Sequence, residues 1–326
     1  MKRSETDEWL VLFLSIFLRR TLQSVANNKG LKLPDCLFLS KMKLKRGVEN
    51  LKFKLGRETQ LETVAIRVKN RDDMIRFYRD IIGFTLKREE NELAIMGNSA
   101  AKNESLWLEE SPRAADHFGE VKKLRRISLV IPSEAELADI LYRIKRVGCP
   151  IIDALYDEGV MGILLEDPEG NQLELYYGAA QQSLSGEPEP LDHEKLLKKA
   201  NGEFSVLSEG VFFDKLHLNT AALAEESRFL ADRLGFEVQD ESDGIHVLNE
   251  GLFHVGLTEA QGGTVELPTD KVLGLDFLKF RVSEEDITAL AAHLEAAGQS
   301  FYKDKRGSIV TVYDPTGIEW WFVKKK

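Results

Sequence analysis

Two glutamates each lie shortly after an Asp-Pro turn of the sequence. Glu174 lies in DPEGNQLELYYG (167–178) and Glu319 lies in DPTGIEWWF (314–322). In each stretch, a turn containing proline and glycine precedes a short run typical of a β-strand. A single carboxylate in such a strand could ligate a metal or pair with a buried basic side chain.

Two histidines extend this set of candidate residues. In KLHLNT, Lys215, His217 and Asn219 share one face, because side chains alternate between the faces of a strand. His254 lies in a second strand-like stretch, LFHVGL. With Glu319, the two imidazoles make up the residue set of a facial metal triad. The alternative is that these residues are structural or bind a ligand by hydrogen bonds.

Length and composition limit the classes of protein to consider. The chain has 326 residues, enough for two ordinary domains, and a formal net charge of -10, which argues against a nucleic-acid partner. Its two cysteines are too few for a disulfide framework, and Cys149 is expected to be a buried, inert thiol.

The N-terminal region has an unusual apolar stretch, WLVLFLSIFLRR (9–20). Its apolar part of about ten residues is too short to span a membrane. Acidic residues precede it and arginines follow it, which is the wrong arrangement for a signal peptide. We therefore expect a cytoplasmic protein without a membrane span, with secretion or a cell-surface location as the alternative.

The remainder of the sequence is a tandem duplication. AIRVKNRDDMIRFYRDIIGF (65–84) aligns without gaps with HLNTAALAEESRFLADRLGF (217–236), at an offset of 152 residues. Later landmarks keep the same order at slightly smaller offsets, since Ser133 and Asp167 match Ser283 and Asp314. Such ordered self-similarity indicates two copies of one structural unit.

Each copy divides again into two units of one strand, one helix and three strands. Gly83 is expected to end the first helix, and Ser133 with Glu136 forms a capping-box pattern at the start of the second. The chain thus contains four βαβββ units. The stretch between the copies is rich in Gly, Pro, Ser and charge, which indicates a linker with one short helix.

Paired βαβββ units with (I/L)GF after the first helix and DPxG before the last strand resemble the vicinal oxygen chelate superfamily. Glyoxalase I, bleomycin-resistance proteins and extradiol dioxygenases belong to it. The resemblance implies an α+β fold of two tandem glyoxalase-like domains, each a pair of modules forming a half-open eight-stranded barrel, or cup. The expected parts are a poorly ordered N-terminal extension (1–55), an N-terminal domain (56–178), a linker (179–209) and a C-terminal domain (210–326).

The resemblance also implies where a metal would bind, because the superfamily places its ligands on the first and last strands of each module. In the N-terminal copy these positions fall at Thr63, at Trp107 or Glu109, at Arg126 and at Glu174. A guanidinium at the place of a histidine repels a cation, and an Arg126–Glu174 pair suits a small polar or anionic ligand. In the C-terminal copy they fall at Lys215, two residues before His217, and at Asp276 or Phe277.

No cofactor is therefore favoured, although a divalent metal such as Fe, Mn, Ni or Zn stays as the alternative. The aromatic residues Trp107, Tyr176, Trp320 and Trp321 suit a planar ligand or ordinary core packing. The candidate residues lining the cups are Arg126, Glu174, Trp107, Lys215, His217, Asn219 and Glu319.

A narrower resemblance is to the CppA family. LWLEESPRAADHFGEVKKLRRISLVI (106–131) is similar to the N-terminal half of CppA proteins, and DPTGIEWWFVKK is similar to their C-terminal half. The family label implies a complement-degrading proteinase, and hence a host complement protein as partner. The sequence has no GxSxG or HExxH motif to support proteolysis. Three hypotheses follow: metal-independent small-molecule binding, a metal-dependent dioxygenase or lyase, and a proteinase.

Metal analysis separates the first two hypotheses. We expect protein purified without chelators to carry well under one equivalent of divalent metal, because basic residues occupy the expected ligand positions. The measurement is elemental analysis of the purified chain. Stoichiometric Fe, Mn, Ni or Zn that is lost on changing His217, His254 or Glu319 to alanine would contradict this expectation.

Overall fold

The computed structural model describes residues 53–115, 117–157, 159–178, 188–240, 244–248 and 252–325. Most of the expected extension (1–55), including its apolar stretch and Cys36, lies outside the described residues. Its last residues are part of the fold, since the Phe53 ring stacks on His293 with centroids 4.4 Å apart and Leu55 is buried.

The N-terminal copy forms the two βαβββ modules predicted by the repeat. Module 1 contains β1 (Gln60–Val68), α1 (Arg71–Arg76) with a π-helical continuation (Phe77–Ile82), β2 (Thr85–Glu90), β3 (Leu93–Gly97) and β4 (Leu106–Glu110). Module 2 contains β5 (Leu124–Val130), α2 (Glu134–Val147), β6 (Asp153–Asp157), β7 (Val160–Glu166) and β8 (Gln172–Tyr177).

The C-terminal copy follows a connection that holds a short strand and the short helix expected there, β9 (Glu189–Pro190) and α3 (His193–Leu197). Module 3 contains β10 (Phe212–Thr220), α4 (Leu223–Arg228) with a π-helical continuation (Phe229–Arg233), β11 (Glu237–Asp240), β12 (Ile245–Leu248) and β13 (Phe253–Glu259). Module 4 contains β14 (Gly274–Val282), α5 (Glu284–Ala296), β15 (Tyr302–Lys303), β16 (Ile309–Tyr313) and β17 (Glu319–Lys324), preceded by a short 3-10 turn (Thr269–Lys271).

Each of the two Asp-Pro turns is stabilised by its own buried aspartate. Asp167 Oδ1 accepts backbone N–H groups of Glu169 and Asn171 at 3.0 and 2.9 Å, and its other oxygen accepts the Tyr78 hydroxyl at 3.0 Å. The glycine at the fourth position, Gly170, has φ +80°, a conformation that side chains other than glycine disfavour. The DPTG turn repeats this arrangement around Asp314.

The modules pair across the two copies. One sheet has the order β15-β16-β17-β14-β1-β4-β3-β2 and combines modules 1 and 4. The other has the order β11-β12-β13-β10-β5-β8-β7-β6-β9 and combines modules 2 and 3. The α+β fold class of paired modules is confirmed. Each sheet, however, takes one module from each copy, so the assignment of one cup to each copy is corrected.

Both sheets bury one face under the helices and turn the other toward a cavity. On β10, Leu216 and Leu218 point into the main core, and Trp320 and Phe322 do so on β17. The neighbouring polar residues therefore face the cavity side, because side chains alternate along a strand. Among the described residues, no helix is long and apolar enough to cross a bilayer.

The connection between the copies is tied to α2. Ser133 is the N-cap of this helix, as the sequence predicts, and accepts the Glu136 N–H at 3.1 Å. The Glu136 carboxylate accepts the N–H and the hydroxyl of Ser208, at 2.7 and 2.6 Å, so it anchors the connection. Asp139 accepts three further backbone N–H groups, those of Asn201, Gly202 and Phe204, each at 3.0 Å.

The exchange of modules predicts that neither copy forms a folded monomer alone. Without residues 188–325, the edges of β1 and β5 lose the strands that pair with them, and unpaired edges aggregate or dimerise. We expect residues 53–178 expressed alone to precipitate or to form oligomers. Co-expressed with residues 188–325, they should form a one-to-one complex, measured by light scattering and circular dichroism. A cooperatively unfolding monomer of residues 53–178 would contradict the exchange.

Candidate functional site

The sheet of modules 2 and 3 brings most of the candidate residues together on its cavity side. Its four central strands are β8, β5, β10 and β13, in that order. Strand register aligns one row across these strands, which consists of Glu174, Ser128, Lys215 and His254. The adjacent row consists of Gln172, Arg126, His217 and Gly256. We call this region the polar cup.

Glu174 provides the negative charge that a buried arginine needs. It accepts a hydrogen bond from the Ser128 hydroxyl. Arg126 is only 8% exposed. Burial lowers the pKa of the Arg126 guanidinium, and the nearby Glu174 carboxylate opposes that shift. Glu174 therefore has the second of the two roles expected for it, that of partner to a buried basic side chain, since a buried charge is stable when it has an opposite charge near it.

Lys215 is held over an aromatic ring. Its Nζ lies 4.0 Å from the centroid of the Tyr176 ring, a cation–π contact. The Tyr176 hydroxyl donates to the buried Asp214. Burial raises the pKa of the Asp214 carboxyl to about 6, against the opposing effect of the Lys215 charge. Tyr176 is therefore a buried support for Lys215, and its ring is not free for a ligand.

His217 is a buried, neutral imidazole. Its Nε2 is 2.6 Å from the hydroxyl of Thr258. The ring lies against Gly256, where an added Cβ would come within 2.7 Å of the His217 Nδ1. Burial, reinforced by the charges of Arg125 and Arg126, lowers the pKa of His217 to about 3. At neutral pH the ring can therefore donate one hydrogen bond and accept another, but it carries no charge.

A cavity of about 750 Å³ opens over the polar cup. Six hydrogen-bond donors contribute to its lining, namely Lys122, Arg125, Arg126, Gln172, Asn219 and Thr258. Three carboxylates, Glu120, Asp153 and Glu166, also line it. Three basic side chains thus face an equal number of acidic ones, and the Arg125 Nη1 also donates to the Thr258 hydroxyl at 3.2 Å.

The sheet of modules 1 and 4 forms a second site, which we call the aromatic cup. Trp107 and Phe277 meet edge to face with centroids 5.5 Å apart, and Phe277 stacks on Trp321 at 4.5 Å. A cavity of about 510 Å³ lies over these rings, with Arg67 and Glu319 also in its lining.

A divalent metal of the kind the glyoxalase resemblance implies does not fit either cup. In the polar cup, Lys215, a cationic residue that does not ligate metals while charged, lies between Ser128 and His254 in the row that should hold ligands. In the aromatic cup, the row contains Trp107, Ala65, Phe277 and Glu319. Of these four residues, only Glu319 has a side chain that ligates divalent metals. In the described parts of the chain, no three His, Cys, Asp or Glu residues are grouped so that they could hold a metal ion.

The alternative triad of His217, His254 and Glu319 is wrong for a topological reason. His217 and His254 lie in the polar cup, whereas Glu319 lies on β17 in the aromatic cup. The exchange of modules separates residues of one copy into different sheets. For the same reason Thr63, Trp107 and Glu109 belong to one cup, and Arg126 and Glu174 to the other.

For Trp320 the core-packing alternative holds, and the expectation of a buried Cys149 is corrected. Trp320 is fully buried in the core and donates its indole N–H to Asp314 at 3.0 Å, so it cannot contact a ligand in a cup. Cys149 is partly exposed, although burial still raises the pKa of its thiol.

The sequence patterns did not predict several residues that line the cups. Arg125 and Lys122 line the polar cup, and Arg67 lines the aromatic cup. Alternation along AIRV, with Ile66 in the core, could have placed Arg67 on the cavity side. Arg125 gave no such signal, because it lies at an irregularity in the pairing of β5 with β10.

Comparison with known proteins supports the fold. The chain is similar to the cppA protein from Streptococcus pneumoniae TIGR4, with 19% identity, a TM-score of 0.57 and coverage of 85% of this chain and 99% of that chain. A putative dioxygenase from Bacillus subtilis subsp. subtilis str. 168 gives 16% identity, a TM-score of 0.57 and coverage of 83% and 86%. Glyoxalase I from Zea mays gives 15% identity, a TM-score of 0.50 and coverage of 82% and 92%. At these identities the likeness concerns the fold alone.

A comparison with curated proteins gives no match. Models of protein families match both copies. The model of the Glyoxalase/Bleomycin resistance protein/Dioxygenase superfamily matches residues 60–175, and the CppA C-terminal model matches residues 211–322. The N-terminal copy therefore belongs to the Glyoxalase/Bleomycin resistance protein/Dioxygenase superfamily and the C-terminal copy is of the CppA C-terminal type, so the chain with its four βαβββ modules is CppA-like.

Proposed function

We propose that this protein binds a small molecule carrying an oxyanion group, such as a carboxylate or a phosphate, in the polar cup and without a metal. The observation that carries the proposal is the convergence of Lys122, Arg125 and Arg126 on one cavity, together with uncharged donors. A volume of about 750 Å³ is in the range typical of small-molecule sites.

The two arginines provide the main recognition element. Arg125 and Arg126 are consecutive, yet both reach the cavity, because the strand pairing shifts register at this point. A guanidinium presents paired N–H donors that match the two oxygens of a carboxylate or phosphate. Burial of Arg126 strengthens its attraction to an anion, because the effective dielectric constant is lower away from water.

The rest of the lining restricts the ligand further. Gln172, Asn219 and Thr258 are uncharged polar groups, and the three carboxylates of the lining balance the three basic residues. A ligand with an oxyanion at one end and hydroxyl or amino groups elsewhere would complement both sets. Neutral His217 belongs to this uncharged part, through its contact with Thr258.

The competing hypotheses receive less support from the geometry. A dioxygenase or lyase of the superfamily type needs metal donors at row positions that Lys215 and Phe277 occupy. A proteinase needs an activated nucleophile, and the Ser128 hydroxyl in the polar cup is buried and donates to Glu174. Binding therefore explains the arrangement of the polar cup better than catalysis of either kind.

Anion binding is the direct test of this proposal. Isothermal titration with phenyl phosphate, benzoate and neutral benzyl alcohol should show at least one anion with a Kd of about 1 mM or lower, and no comparable binding of the alcohol. Arg125→Gln and Arg126→Gln should each weaken that binding about tenfold or more, which corresponds to about 1.4 kcal/mol. Arg79→Gln, a surface change in the π-helical continuation of α1, is the control. Binding that is equal for anion and alcohol, or unchanged in both arginine variants, would contradict the proposal.

The neutral state of His217 has a measurable effect on stability. Its pKa of about 3 in the folded protein lies below the ordinary value of 6.5, so below about pH 6.5 the unfolded chain takes up a proton that the folded chain does not. Stability is therefore lost as the pH falls, by about 2 kcal/mol at about pH 5 for a full shift. The Asp214 carboxyl acts in the opposite direction, because its raised pKa costs stability as the pH rises toward 6.

Comparison with His217→Gln isolates the histidine, since Asp214 is present in both proteins. Between about pH 7.5 and about pH 5, the free energy of unfolding of the wild type should fall by about 2 kcal/mol more than that of the variant. Urea unfolding at the two pH values measures this difference. A variant that keeps the full pH dependence of the wild type would show that His217 is not held neutral.

A further inference from the structure

We infer that the aromatic cup is a second ligand site, and that it takes a flat organic cation. The site lies on a different sheet from the polar cup and uses different residues, so the inference does not depend on the function proposed above. It rests on two independent properties of the cavity lining, its charge and its aromatic surface.

The charge of the lining is strongly negative. Six carboxyl groups line the cavity, against the single guanidinium of Arg67, which leaves a formal charge of −5. The six acidic residues are Glu90, Glu92, Glu109, Asp270, Asp276 and Glu319. Two of them have basic neighbours on the surface, since Arg88 lies 3.1 Å from Glu90 and Lys271 lies 2.9 Å from Asp270. Counting these two bases still leaves an excess of three negative charges.

Arg67 already interacts with other residues of the cavity lining. Its Nε lies 2.9 Å from Asp276, its Nη1 donates to the Asp270 carbonyl oxygen at 3.0 Å, and its Nη2 is 4.0 Å from Glu109. One guanidinium thus serves two carboxylates. Burial raises the pKa of Asp276, Arg67 opposes this, and Glu109 adds to it, as expected where negative charges outnumber positive ones.

Glu319 is a further carboxylate in the lining of the same cavity. It is adjacent in register to Phe277, on the neighbouring strand β14. Burial and the negative charge of Glu319 raise the pKa of the Tyr313 hydroxyl, which also lines the cavity. Additional positive charge supplied by a ligand would relieve the repulsion among Glu109, Asp276 and Glu319.

The aromatic surface determines the shape of the ligand. Trp107 and Trp321 are half-buried and line the cavity, with Phe277 packed between them. The Trp107 ring stands at 86° to Phe277, whereas Trp321 is parallel to it within 10°. The faces of indole rings attract cations, and the Lys279 Nζ, 4.8 Å from the Trp107 centroid, already makes such a contact. A flat cation would gain both ring stacking and charge complementarity.

The cavity volume fits a ligand of this kind. At about 510 Å³ it is within the range of small-molecule sites and large enough for a two-ring compound. Neutral aromatic compounds could also stack on the tryptophans. The negative charge is the property that should favour a cation over a neutral molecule of the same shape.

Three two-ring probes of similar shape test the inference by isothermal titration into the full chain: 1-methylquinolinium, quinoline and quinoline-2-carboxylate. We expect the Kd of the cation to be at least about tenfold lower than that of neutral quinoline. Raising the salt concentration should weaken cation binding and leave quinoline binding unchanged, because salt screens charge. The anion should not compete with the cation.

Variants separate the two contributions. Glu319→Gln and Glu109→Gln should each reduce the affinity for the cation several-fold without changing that for quinoline. Trp321→Leu should weaken both. Glu285→Gln, an exposed acid on the surface of the last helix, is the matched control for loss of one charge. Arg125→Gln in the polar cup should leave cation binding unchanged, which distinguishes this site from the one proposed above.

The inference is overturned if 1-methylquinolinium and quinoline bind equally, if neither binds, or if both glutamate variants keep the wild-type affinity for the cation. Thermal unfolding of each variant shows whether it is folded. Should Glu109→Gln fail to fold, because Glu109 is close to Arg67, Glu319→Gln decides the matter alone.

Discussion

The antiparallel pairing of first strands, β1 with β14 and β5 with β10, is the contact on which the rest of the structure depends. Each first strand also pairs in parallel with the last strand of its own module, so every sheet has four neighbouring strands at its centre. These four strands supply the rows of residues beneath each cavity. Because they come from both copies of the duplication, neither cup exists within one copy.

Much of this architecture could be predicted from the sequence, but not the partners of the modules. The four modules, the faces of their strands and the helix ends at Gly83 and Ser133 follow from local patterns. All four first strands offer a similar edge, so pairing β1 with β5 would satisfy backbone groups as well as pairing β1 with β14. The choice depends on long-range contacts, such as the hydrogen bonds that tie the connection to Glu136 and Asp139.

The consequence for site prediction is direct. The sequence places His217 and Glu319 in one copy, and alternation predicts a polar face for each, yet they lie in different sheets. A second limit is the irregular pairing within the first strands. At these points Arg125 and Asp276 lie outside the regular register, and each supplies a charged side chain to a cavity. Strict alternation cannot predict such residues, because a bulge changes the face that follows it.

These irregularities have opposite chemical results in the two cups. One adds a guanidinium beside Arg126, and the other adds a carboxylate beside Glu109. The same backbone irregularity in a duplicated fold therefore adds a cationic donor to one cavity and a carboxylate to the other. Substitution at cavity-facing positions changes the charge of the cavity lining while the core-facing positions, such as Leu216 and Phe280, keep the fold.

The two cups nevertheless share a support. Lys122 and Lys123 are consecutive residues just before β5, and both are buried. The Lys122 ammonium donates to the Glu169 carbonyl oxygen in the DPEG turn, and the Lys123 ammonium donates to Thr269 at 2.8 Å and to the Thr316 carbonyl oxygen in the DPTG turn. Those turns precede β8 and β17, the last strands of modules 2 and 4, which belong to different sheets. One dipeptide thus fixes the start of a strand in each cup. The two cavities differ in their lining residues but share this structural support.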